Sequence, residues 1–149
     1  MTTSKASSDG TAVAPKVRGG RIWGAGLLAA LVGVFLNLGV GLGLRAALDI
    51  DNKFLPLTPG AIVFFTFIPM VFGVLFYQIL RAVSGRANAV FAIVVLGLAV
   101  LSLAAPLSLL GADAKDWEGL TTGAALALIP LHLLPAVVLV FALTRLQPR

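Results

Sequence analysis

His132 is the single histidine of a 149-residue chain, and it lies in the run ALIPLHLLPAVV between Pro130 and Pro135. An imidazole can donate, accept, ligate a metal or carry a proton, and an ionisable group inside an apolar run is a functional candidate by default. One histidine and no cysteine leave no His pair for zinc or bis-histidine haem and no thiolate site, so neither metal nor cofactor is expected. Ser102, Ser108 and Thr66 supply hydroxyls, but no carboxylate stands within an apolar run to orient the imidazole, and a Ser-His-acid triad is not assembled. The acidic stretch GADAKDWEG, with Asp113, Asp116 and Glu118, lacks the Gly-punctuated ligand spacing of a calcium loop and reads as a solvated segment. The glycines do not form a dinucleotide fingerprint, since no strand precedes them and the GxGxxG spacing is absent.

The elements that must hold these residues are legible in the composition. Hydrophobic residues make up 59% and charged residues 11%, against about 45–50% and about 25% in soluble domains. The net charge of +5 comes without a basic stripe interleaved with aromatics, which argues for lipid headgroups and against nucleic acid as the partner. Residues 1–21 are rich in Ser, Thr, Ala and Gly and read as a disordered basic tail. Ile22–Leu44, Gly60–Leu80, Ala89–Leu110 and Thr121–Leu143 then run without a charge. At 1.5 Å per residue each is roughly 31 to 35 Å long, enough to cross a bilayer core. The expected fold is an all-α integral membrane protein, a four-transmembrane-helix bundle over residues 22–145. The first run exceeds the length of a signal-peptide core and ends without a cleavage pattern, so it is expected to stay in the protein.

Lys5, Lys16, Arg18, Arg21, Arg81, Arg86, Arg145 and Arg149 flank one side of these spans, and Arg45, Lys53 and Lys115 the other. This bias places both termini in the cytoplasm of a cell-membrane protein. Lys16, Arg18 and Arg21 are positioned to attract anionic headgroups, each by about 1 kcal/mol. Trp23 and Tyr77 near the inner ends and Trp117 near an outer one suit interfacial belts. LTPGA at Leu57–Ala61 and LTTGA at Leu120–Ala124 each open an inward-running span, an echo that would fit duplication of a helical hairpin.

Ala25, Ala29, Gly33, Asn37 and Gly41 recur every fourth residue and share one helix face, a narrow surface for close helix packing; Gly39 and Gly43 form a GxxxG pair as well. Packing inside the bundle and an intermolecular seam are the two uses of such faces, and the first is the commoner. Pro69, Pro106, Pro130 and Pro135 each remove a backbone donor and free the carbonyl four residues earlier, on Phe65, Ser102, Leu126 and Leu131. Those carbonyls need partners in lipid. Counting from the span centres puts Asn37, Thr66, Ser102 and His132 at similar depth, one per span. If they converge, His132 can donate to Asn37, Ser102 or a proline-freed carbonyl. Such a layer is either a polar clasp holding the helices in register or a site where His132 carries protons or touches a ligand.

The segments NLGVGLGLRAALDID, LTPGAIVFFTFIP, VLSLAAPL and ALALIPLHLLPAVVLVFALTR resemble a family of small four-span membrane proteins of actinobacteria and related bacteria, catalogued only as a domain of unknown function (six-zero-six-nine). The resemblance covers about Arg21 to Arg145 and rests on Asn37, Pro59-Gly60-Ala61, the stretch from Ser102 to Pro106, and His132. Leu131 stands where the family often has Met. The resemblance implies the four-span architecture and brings no activity with it.

Three functions follow as expectations. The leading one is a non-enzymatic accessory or interaction subunit, whose partners are the bilayer and another membrane protein or a second copy of the chain. The alternative is a small transporter or proton-linked conduit centred on His132. The third is binding of a lipid-soluble ligand such as a quinone between kinked helices.

Overall fold

A computed structural model describes residues 19–112 and 115–145, and no strand occurs among them. The helices are α1 (Gly19–Ala47), α2 (Pro59–Val83), α3 (Ala87–Ser102), α4 (Ala104–Ser108) and α5 (Thr122–Thr144), with short 3-10 turns at Leu55–Leu57 and Leu109–Gly111. Four stretches are long and apolar enough to cross a membrane: Gly20–Ala47, Pro59–Val83, Ala87–Gly111 and Thr122–Thr144. The protein is therefore an all-α, multi-pass membrane protein. The tail expected over 1–21 lies outside the described residues as far as Arg18, and with it Lys16 and Arg18; Arg21 sits in the first turn of α1, exposed.

Local chemistry sets the helix ends. The first threonine of each half of the LTPGA/LTTGA echo is an N-cap. Thr58 precedes Pro59 at the first position of α2, where a missing N–H costs nothing. Thr121 accepts a bond from Ala124 N at 3.0 Å to open α5. At the far end of α1, Asp49 adopts φ 48° and Ile50 N–H reaches back to Arg45 O at 3.0 Å. That is a Schellman closure with Asp in the position that usually holds glycine. In the third span Pro106 ends α3: the helix stops at Ser102 and restarts at Ala104. The restart puts Pro106 in a first turn, where its lack of an N–H is tolerated. α2 and α5 run on through their prolines.

α1 sits in the groove between α2 and α5, and the groove is why its small residues recur. A methyl placed on Gly26 would lie 2.5 Å from Val74 Cγ2, one on Gly33 would lie 2.6 Å from Met70 Sδ, and one on Gly41 would lie 2.6 Å from Ile62 Cδ1 and 3.3 Å from Leu131 Cδ2. Gly26 with Val74, Gly33 with Met70, Asn37 with Thr66 and Gly41 with Ile62 form one antiparallel register along α1 and α2. Ala29 is buried in the same face and Ala25 half-buried. Gly39 and Gly43 depart from the packing role expected of them: both are exposed, and a Cβ on either would meet nothing within 4 Å. Their GxxxG spacing is displaced around the helix from the Gly33–Gly41 face, and it points away from the bundle. α3 packs on α5 and α2 and makes no close backbone approach to α1.

Two apolar clusters fill the bundle. The one at the end that the charge bias assigns to the cytoplasm, the inner cluster, contains Ala30, Val74, Tyr77, Phe91 and Leu143, and the one at the opposite end, the outer cluster, Phe54, Leu57, Ile62, Ala124 and Leu131. The outer cluster is closed by the loop before α2, whose Phe54 and Leu57 are buried beneath it. Gly119 locks that loop to the loop before α5. Its φ is 76°, and a Cβ there would stand 3.0 Å from Asp51 Cβ and 3.0 Å from Phe54 N. Backbone on one side and a left-handed φ on the other leave no room for a side chain. Gly119→Ala should lower stability by about 1–3 kcal/mol, read as a shifted midpoint in detergent unfolding; a midpoint within error of the native value would contradict this loop contact.

Lys53 Nζ and Glu118 Oε1 pair at 2.6 Å across the same two loops, both well exposed. The hydrogen bond to Glu118, then the charges of Glu118 and Asp51, raise the Lys53 pKa above its ordinary 10.5. A raised pKa means that the pair's contribution is complete below that ordinary value and is lost as pH climbs through the higher value of the folded chain. Solvent screening keeps it small. Lys53→Gln should therefore lower the thermal midpoint slightly at neutral pH and not at all above the lysine range, as scanning at the two pH values would show.

Candidate functional site

The boundary between the two apolar clusters is polar, and Asn37 is at its centre. Its amide is 2% exposed. Nδ2 donates to Thr66 Oγ1 at 2.8 Å and to Leu131 O at 2.9 Å. A carbonyl can only accept, so the amide must turn its nitrogen toward Leu131. Leu131 O is the acceptor that Pro135, four residues on, leaves without its helical donor. One side chain of α1 thus engages α2 through a hydroxyl and α5 through a proline-freed carbonyl. Asn37 Oδ1 is buried without a hydrogen-bond partner, a cost set against those two bonds.

The other two members of the expected layer do not join it. His132 is half-buried, and its Nδ1 lies 2.8 Å from Leu128 O on its own helix. That acceptor is the ordinary i−4 carbonyl and not a proline-freed one. Because Leu128 O cannot donate, Nδ1 carries a hydrogen. Ser102 Oγ likewise donates to Ala99 O at 2.7 Å within α3. So the structure brings together Asn37, Thr66 and the Leu131 carbonyl, while His132 and Ser102 each bond to their own helix. Of the other prolines, Pro106 is buried, Pro69 is exposed, and Pro130 and Pro135 are half-buried.

A second clasp near the inner ends was not expected. Tyr77 OH donates to Asn88 Oδ1 at 2.7 Å, and Asn88 Nδ2 to Thr144 O at 3.4 Å, joining α2, α3 and α5. Tyr77 is fully buried and meets Phe91 edge-on at 4.9 Å between centroids, so it is a core residue and not the interfacial aromatic proposed from its position. Trp23 and Trp117, at 37% and 41% exposure, do present themselves outward. The sequence marks Asn88 only weakly, because it stands one residue before the apolar run that begins at Ala89; its one signal is a polar amide at a helix start, which is usually a solvated cap.

Asn37, Pro59 to Ala61, Ser102 to Pro106 and His132 thus occupy defined places in a four-span bundle. A model of the Family of unknown function (DUF6069) matches residues 17–149. The chain belongs to DUF6069. The match takes in all four spans of this DUF6069 chain and the residues of both clasps. No curated protein and no solved structure matches the DUF6069 chain. Among the described residues no group of three or more His, Cys, Asp or Glu side chains is placed to hold a metal ion.

Proposed function

We propose that this protein is a non-enzymatic accessory or interaction subunit of the membrane, a clasped bundle that presents fixed helix faces to other membrane proteins or to a second copy of itself. The observation that carries this reading is the use made of the polar side chains. Asn37 ties α1 to α2 and α5, and Asn88 ties α3 to α2 and α5. Interhelical bonds of this kind contribute about 0.6 kcal/mol each and up to about 1.7, and they fix which faces point outward. A conduit draws less support from the same geometry, because His132 and Ser102 spend their donors on their own helices and, among the described residues, line up with no chain of titratable groups.

The test is isolation of the full chain from its native membrane in mild detergent, with cross-linking before extraction and mass spectrometry after it. The reading expects a defined complex, with another protein or with further copies. A monomer without cross-links would oppose it, as would proton flux in proteoliposomes that His132→Gln abolishes.

A further inference from the structure

Two polar functions of the Asn37 clasp are unused by the protein, and they are of opposite sense. Asn37 Oδ1 accepts from no protein donor although the residue is 2% exposed. Thr66 is 4% exposed, and among the described residues its hydroxyl takes part in one hydrogen bond, the one it accepts from Asn37 Nδ2 at 2.8 Å. Thr144 donates to Val140 O, Ser102 to Ala99 O and Ser108 to Ala105 O, each on its own helix. Thr66 makes no such bond back to α2, so its hydroxyl hydrogen is left to donate elsewhere. A third group belongs to the same junction. Leu131 O accepts from Asn37 Nδ2 at 2.9 Å, and with Pro135 in place of its helical donor it keeps a second lone pair.

Amide geometry decides how the unused acceptor and the unused donor can meet. The two hydrogens of Asn37 Nδ2 diverge, one toward Thr66 and one toward Leu131. A planar amide donating at such lengths places its two acceptors roughly 3.6 and 4.9 Å from its own oxygen. Both separations are too long for a direct bond from the Thr66 hydroxyl to Oδ1. Both are shorter than the span of about 5.6 Å that one small molecule bridges with two ordinary O–H···O bonds.

We infer that a single water molecule is bound at this junction of α1, α2 and α5, donating to Asn37 Oδ1 and Leu131 O and accepting from the Thr66 hydroxyl. Three bonds are the usual complement of a buried water. A metal cation would need the same oxygens turned toward it, but Nδ2 already points a hydrogen at two of them, and the runs Ile22–Leu44, Gly60–Leu80 and Thr121–Leu143 carry no carboxylate to balance its charge. An apolar group would answer neither function. The water closes the clasp into a satisfied network, in which each bond polarises the next, and it removes the cost of the orphaned Oδ1. The inference rests on the clasp alone and holds whichever proteins the bundle meets.

The experiment uses the full chain in lipid bilayers, isotope-labelled at asparagine and threonine, read by proton-detected solid-state NMR with selective excitation of the water resonance. Magnetisation should pass from water to the Asn37 side-chain amide and the Thr66 hydroxyl, whereas the backbone amides of Ala30 and Val74, buried in the inner cluster, should receive none. Thr66→Ser keeps the hydroxyl and should keep the transfer to Asn37. Thr66→Val keeps the shape without the hydroxyl and should lose it. A folded native chain with no transfer to Asn37, or transfer that survives Thr66→Val, would overturn the inference. Transfer to the backbone all along the α1–α2 contact, from Val74 to Ile62, would also overturn it, in favour of a continuous aqueous path.

Discussion

Alanine at Gly26 should be the most damaging single methyl in this bundle. The added Cβ would meet both Val74 methyls, at 2.5 and 2.7 Å, and Val74 Cβ at 3.1 Å. Valine is stiff about χ1 and cannot swing its methyls away, so α1 and α2 must separate. Overpacking of this sort costs about 1–3 kcal/mol, and it outweighs the gain of up to about 1 kcal/mol that alanine brings to a helix over glycine. Gly33→Ala should cost less, because the atoms in its way are the flexible end of Met70. Gly39→Ala and Gly43→Ala meet open space and should be neutral or stabilising by up to about 1 kcal/mol. Unfolding of the four variants in mixed micelles checks the ranking, and a Gly26→Ala protein as stable as Gly39→Ala would mean that α1 does not lie on α2 in this register.

The second large effect belongs to Asn37. Asn37→Ala should destabilise the bundle by about 1–3 kcal/mol, the loss of two interhelical bonds and the stranding of the Leu131 carbonyl in an apolar core. Its distinguishing feature is coupling to a residue that it does not contact through its side chain. Pro135→Ala restores an N–H four residues after Leu131, which then claims the Leu131 carbonyl for the helix. In that background Asn37→Ala should cost less, by about 0.6–1.7 kcal/mol, the worth of the one bond that both residues compete for. Strict additivity in the double-mutant cycle would show that the proline and the amide act independently and would remove the explanation given for Asn37.

The sequence carried the spans well because four uncharged runs separated by charged turns admit few other readings. It also carried the α1 face, since small residues at every fourth position must lie on one side of a helix. Which glycines touch a neighbour was harder. Gly33 and Gly43 are equivalent by type and both fall in small-residue repeats, yet one faces Met70 and the other open space, because rotation about the helix axis is decided by partners that the repeat does not name. Depth placed Asn37, Thr66, Ser102 and His132 in one layer, but depth is a single coordinate. Convergence also needs the azimuth of each helix, and α3 packs away from α1, which separates Ser102 from Asn37. The i−3 and i−4 carbonyls offer a serine or histidine a partner on its own helix at no cost in assembly, and Ser102 and His132 both take it. Asn37 has such carbonyls too, but its flat amide with two donors can bridge two neighbours at once, and a narrow glycine-lined face lets them come close.

If the polar side chains of the spans hold the bundle and do not relay protons, His132 must show it. A relaying imidazole must take a proton at one ring nitrogen and release it from the other, so it exchanges between tautomers. A ring fixed to the Leu128 carbonyl keeps its hydrogen on Nδ1. The nitrogen chemical shifts of the single imidazole, recorded in the lipid-reconstituted full chain, separate the two. One form is expected, with the hydrogen held on Nδ1 throughout; a ring in exchange between the Nδ1–H and Nε2–H forms would contradict this and move the conduit ahead of the scaffold.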